Sequence, residues 1–130
     1  MKLGHVDHIT FNVTDMESAV AYFEKLGMTV EGSLDNRDIV MLTNGDPKQP
    51  LQIQLDMVHG DMQPGLNHIA FFTKTVEDDA KELQSIGVQH RRDAFYQSRS
   101  GRTIFSFKGP DGVGLQLARK DKRGEYEDFP

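Results

Sequence analysis

The 130-residue chain contains no cysteine, which removes disulfide frameworks and zinc–thiolate sites at the outset. It has no apolar run of membrane-spanning length. It has no surplus of basic residues either: 15 lysines and arginines against 20 acidic residues give a formal net charge of −5. That sign opposes a polyanionic partner. Arg91, Arg92, Arg99 and Arg102 are interspersed rather than gathered, so they read as a solvated strand edge, and nucleic acid is not an expected partner. The opening Met1-Lys2-Leu3-Gly4-His5 lacks the apolar core of a signal peptide, and the expected address is the cytoplasm. What remains, 37% hydrophobic and 27% charged, is the composition of a soluble globule with enough chain for one core.

What the sequence does have is an internal echo. Asp7-His8-Ile9-Thr10-Phe11 returns sixty residues later as Asn67-His68-Ile69-Ala70-Phe71, and the same offset lays Glu17 on Glu77 and Gly27 on Gly87. The chain reads as one unit written twice. In the first copy, Val6–Val13 alternates polar and apolar residues as a strand does. Thr14-Asp15-Met16-Glu17 reads as a capping box opening a helix over about 15–26, whose apolar stripe of Met16, Ala19, Val20, Phe23 and Leu26 ends at Gly27. Strands are expected over 28–31, 38–43 and 51–57, separated by the turn formers Asp35-Asn36 and Asn44-Gly45-Asp46-Pro47. The second copy repeats the plan with a strand at 68–73, a helix capped at Thr75 with a stripe of Val76, Ala80, Leu83 and Ile86, and strands near 88–92, 103–108 and 113–118. Gly109-Pro110-Asp111-Gly112 joins the last two as a hairpin. The expected fold is therefore α+β. One domain holds two βαβββ modules at about 5–58 and 66–118, a linker over 58–65, and a polar tail over 119–130 that is a flexible end or an arm laid on a neighbour.

Strand parity turns this plan into a site. Leu51, Ile53 and Leu55 share one face of their strand, which sends Gln52, Gln54 and Asp56 to the other; Leu115 and Leu117 likewise turn Gln116 away from them. His8 and His68 stand opposite the apolar faces of their own strands. With the apolar faces on the helices, His8, Gln54, His68 and Gln116 point to the concave side of the sheets, where two imidazoles and two amide oxygens suit a divalent metal. Gln52 shares its face with Gln54 and is the alternative one register step away. Each histidine can instead be a hydrogen-bonded pocket wall, and each glutamine an amide that binds a ligand or a neighbouring side chain. Asp56 and Tyr96 are candidate acids or bases, alongside Gln116. His5, His59 and His90 have no symmetry partner and read as surface residues.

The pieces Val6-Asp7-His8-Ile9, Ala19-Val20-Ala21-Tyr22-Phe23-Glu24-Lys25-Leu26-Gly27-Met28, Asn67-His68-Ile69-Ala70-Phe71 and Gly109-Pro110-Asp111-Gly112 together resemble the vicinal oxygen chelate superfamily of glyoxalases, bleomycin resistance proteins and extradiol dioxygenases. The resemblance covers about residues 5–118 and implies two βαβββ modules forming curved mixed sheets around a concave cleft. It also implies metal ligands in the first and last strand of each module, at His8, Gln54, His68 and Gln116, holding zinc, nickel, manganese or iron. One departure stands out. Family enzymes carry Pro-Asp-Gly-x-x-x-Glu-Leu where this chain has Pro110-Asp111-Gly112-Val113-Gly114-Leu115-Gln116-Leu117. An amide there supplies an oxygen but no charge and no base near neutral pH. Two readings remain open. One is a metal-dependent enzyme of lyase, isomerase or dioxygenase type acting on a small oxygenated metabolite. The other is a non-catalytic binding protein of the bleomycin-resistance type. The resemblance implies a homodimer in either case.

Overall fold

The computed structural model describes residues 1–128. The elements run β1 Val6–Val13, α1 Met16–Lys25, β2 Thr29–Leu34, β3 Ile39–Thr43, β4 Gln52–Met57, β5 Gly65–Phe72, α2 Val76–Ser85, β6 His90–Gln97, β7 Arg102–Lys108 and β8 Gly114–Lys120. The fold is α+β, with the βαβββ order twice over. The chain forms two compact units. One holds His8–Asn67 with the described residues from Tyr126 onward; the other holds Met1–Asp7 with His68–Glu125.

In the unit of the first copy the strand order is β2-β3-β4-β1. β1 lies parallel to β4, and the two remaining pairings are antiparallel. One face of this sheet packs on α1: Met16 and Val20 from the helix are buried with Met28, Val40, Leu42, Ile53 and Leu55. The helix opens one residue later than the capping box implies. Asp15, not Thr14, is the N-cap, and its Oδ1 accepts from the Ser18 amide at 3.1 Å. A carboxylate at this end also meets the positive end of the helix dipole. Leu26, expected in the apolar stripe, is the exposed C-cap.

The unit of the second copy repeats the order as β5-β8-β7-β6, with β5 parallel to β8. Val76, Ala80 and Leu83 of α2 bury against Ala94, Phe105, Phe107 and Leu117. Thr75 is the N-cap, but its side chain makes no cap bond; its hydroxyl and that of Thr73 donate to Asp79 instead. Ile86, like Leu26, is an exposed C-cap. The Gly109–Gly112 hairpin forms as a short 3-10 turn over Pro110–Gly112 between antiparallel β7 and β8.

Two expectations are corrected. Through its described residues the tail is held: Arg119 and Lys120 finish β8, the amides of Asp121 and Lys122 donate to the Gly101 carbonyl at 2.8 and 3.1 Å, and the Glu125 amide donates to the Arg99 carbonyl at 2.8 Å, while Phe129 and Pro130 lie outside the described residues. The approach is so close that a Cβ on Gly101 would lie 2.0 Å from the Lys122 carbonyl oxygen. Arg102, read as part of a solvated strand edge, is only 3% exposed, and its Nε donates to Asp7 Oδ2 at 2.6 Å. A guanidinium is buried only with such a partner. Among the described residues no helix is long and apolar enough to cross a membrane.

Candidate functional site

In the first unit the ladder between β1 and β4 pairs His8 with Gln52, Thr10 with Gln54 and Asn12 with Asp56. Paired residues project to the same side of a sheet, so these side chains share the face opposite Ile9, Phe11, Ile53 and Leu55. His8 is buried at 3% exposure and Thr10 is fully buried. The Gln52 amide donates to the Glu31 carboxylate, while Gln54 Nε2 donates to Asp56 Oδ1 at 2.8 Å. Burial pushes the Asp56 carboxyl above the usual carboxylate range, opposed by the Gln54 hydrogen bond and by the nearby His8.

The second unit pairs His68 with Gly114 and Ala70 with Gln116. The two copies are therefore in the same register: Gln54 corresponds to Gln116, and Gln52 to Gly114. This favours Gln54 over Gln52 as the repeated position. Gln116 is only 6% exposed. Its Nε2 donates to the Tyr96 hydroxyl and to Ser106 Oγ, each at 3.2 Å. Its Oε1 is buried with no hydrogen-bond partner among the described residues. Tyr96, a candidate acid or base from the sequence, here accepts a bond that orients the glutamine. His68 is half-buried on the same face.

Sequence reasoning missed Ser106, Glu31 and Thr10. Ser106 carried a usable signal, being the polar residue set between Phe105 and Phe107 in β7. Glu31 carried none, because it is the extra residue where the β2–β3 register shifts between Val30 and Gly32. Of the remaining histidines, His59 is exposed and bonds Asp38 at 2.9 Å, His90 is exposed, and exposed His5 stacks on Phe72 with centroids 5.0 Å apart.

Each copy thus offers one imidazole and one amide from a parallel strand pair, and these donors fit a borderline divalent ion in kind. A buried carbonyl oxygen without a donor is what such an ion, or a ligand N–H or O–H, would satisfy. Among the described residues no cluster of three or more histidine, aspartate or glutamate side chains could hold an ion, so a metal here would need the amides.

Residues 5–117 match the family model of the Glyoxalase/Bleomycin resistance protein/Dioxygenase superfamily, and the chain belongs to that superfamily. Among solved structures, a variant of Streptomyces coelicolor methylmalonyl-CoA epimerase in complex with 2-nitronate-propionyl-CoA is similar at TM-score 0.72 and 23% identity, over 90% of this chain and 97% of that one. A methylmalonyl-CoA epimerase in complex with methylmalonyl-CoA and NH4+ is similar at TM-score 0.73 and 22% identity, over 99% and 100%. The Mycobacterium tuberculosis methylmalonyl-CoA epimerase is similar at TM-score 0.72 and 21% identity, over 92% and 90%. At these identities the likeness establishes the fold.

Proposed function

We propose that the protein is a divalent-metal-dependent enzyme of the superfamily, with His8, Gln54, His68 and Gln116 as ligands, acting on a small oxygenated metabolite by an isomerase-type proton transfer. The observation that carries this reading is the Gln116 amide, whose nitrogen is held by two hydroxyls while its buried oxygen is left to accept. A bound divalent ion would supply Lewis-acid stabilisation of negative charge developing on the ligand's oxygens. The chain's own groups do the rest. Tyr96 and Ser106 fix the Gln116 rotamer, and Gln54 holds the Asp56 carboxylate on the face that also carries His8. Asp56 is the group that would carry the proton, since Gln116 has none to exchange near neutral pH. A homodimer is part of the proposal, and sedimentation showing only a 14.7 kDa species at high concentration would remove it.

Metal analysis of protein purified without a histidine tag, beside a His8→Ala, His68→Ala double variant, tests the reading. Near-stoichiometric zinc, nickel, manganese or iron in the wild type and its loss in the variant are expected. A wild type that takes up none of these ions would leave a sequestering protein of the bleomycin-resistance type as the better account. The same buried Gln116 oxygen fits that second reading as well, because it would equally accept from an organic ligand's donor.

A further inference from the structure

The sheet face that carries Gln54 is not open along its whole length. Gly32 pairs with Met41, and Met41 pairs with Gln54, so the three positions form a row on one side of the sheet. Over Gly32 lies the ring of Tyr126, from the far end of the chain. A Cβ built on Gly32 would meet that ring at 2.5–2.7 Å, so this position accepts only glycine while the ring is in place. Tyr126 is 8% exposed and packs with Leu34 and Met41, with Ile39 at the margin. Its neighbours hold it there. The Glu127 amide donates to the Ser33 carbonyl at 2.8 Å, and Ser33 Oγ donates to the Asp128 carboxylate. The Glu127 carboxylate accepts from the amides of Asp35 and Asn36 at 2.7 and 3.2 Å. Those residues and Arg37 lie at φ 52°, 54° and 66°, three successive left-handed residues that are costly unless the turn is held by such bonds.

We infer that Tyr126 is a specificity-determining wall of the ligand face. It covers Gly32 and Met41, the two positions that continue the row from Gln54, where a ring-sized apolar group would otherwise lie, and so restricts the ligand at that end of the row to a small or polar group. The inference rests on the reading of this face as the one that meets the ligand. Tyr126→Ala should leave an apolar cavity lined by Leu34, Met41 and Gly32. The probe is 4-methylphenol, which has the chemistry of the missing side chain. The variant should bind it about tenfold or more tightly than wild type, Tyr126→Phe should match wild type, and the bound probe should shift the Gln54 side-chain amide signals in a nitrogen–proton NMR spectrum. A folded variant that does not bind the probe, or binds it without moving the Gln54 signals, overturns the inference. If Tyr126→Ala does not fold, Tyr126→Val keeps part of the packing and is scored by the same two readouts. Metal titration of the same proteins separates the two ideas: a positive cavity result with no metal uptake defeats the metal reading alone.

Discussion

Gln116 stands where the superfamily resemblance implies a glutamate, and its surroundings decide what restoring the charge would do. Both acceptors of its Nε2, Tyr96 and Ser106, are hydroxyls, and each can rotate to donate to a carboxylate instead. Gln116→Glu should therefore fit sterically. With a divalent ion beside it, one added charge should be worth about 1–3 kcal/mol, or roughly tenfold to a hundredfold in metal affinity. Without an ion the same change buries a carboxylate and should lower the melting temperature. Titrating both proteins with zinc, nickel, manganese and iron(II) while following melting distinguishes the outcomes, and destabilisation that no ion reverses would count against the metal enzyme. The Asp7–Arg102 pair gives a second prediction. Arg102 is almost fully buried and Asp7 nearly so, and removing one partner of such a pair leaves a charge uncompensated. Asp7→Asn should cost about 3–5 kcal/mol in urea unfolding, and a loss below about 1 kcal/mol would show that solvent reaches the guanidinium.

At the scale of the elements, periodicity was legible and ends were not. Both helices and the eight strands overlap the stretches where alternation and helical spacing put them, but β6 runs on to Gln97, beyond the expected 88–92, and β5 begins at Gly65, inside the expected linker. The helix boundaries moved because Asp15 outcompetes Thr14 as the cap, and because Leu26 and Ile86 come after the last helical turn, where an apolar residue faces water. The parity of His8, Gln54, His68 and Gln116 could be read because alternation within a strand is strict. Tyr96 and Ser106 around Gln116 depend on pairing between distant strands, which one strand's pattern does not contain. The same kind of long-range link joins the first turn of α2 to the end of β8. Arg119 Nη1 and Nη2 donate to both oxygens of Glu77 at 2.8 and 2.9 Å, and its Nε donates to Asp121 at 2.6 Å. Hydrogen bonds from Arg119 lower the carboxyl pKa of both Glu77 and Asp121 to about 2. A depressed carboxyl pKa adds stability that is complete above the group's ordinary value and is lost as pH falls toward the folded one. This contribution should therefore disappear between about pH 4.5 and pH 2. Arg119→Met should raise the titration midpoints of both carboxyls by carbon NMR, Asp121's less completely because Thr103 still donates to it, and wild-type midpoints near 4 would refute the assignment.

For the whole molecule, the duplication is plain in the sequence, but the exchange of chain ends is not. The segment Met1–Asp7 belongs with the second copy, and the segment from Tyr126 belongs with the first. Neither assignment could be read from periodicity, because both segments are short and their contacts are with residues far away in the sequence. The Phe72 amide donates to the His5 carbonyl at 2.8 Å, Asp7 neutralises Arg102, and Tyr126 covers Gly32, Leu34 and Met41. A cut between Gln63 and Pro64 would therefore give two fragments, each lacking a segment that its own unit requires. Fragment 1–63 would expose Leu34 and Met41 and leave the left-handed turn at Asp35–Arg37 without the Glu127 carboxylate. Fragment 64–130 would hold Arg102 without Asp7. At about 65 residues each, neither has stability to spare. Each fragment alone should give a poorly dispersed NMR spectrum and no cooperative melt. Mixing the two should restore both, since each supplies the segment missing from the other. A lone fragment that melts cooperatively, and is unchanged by adding its partner, would show that the exchanged ends are ornaments on units that are already complete.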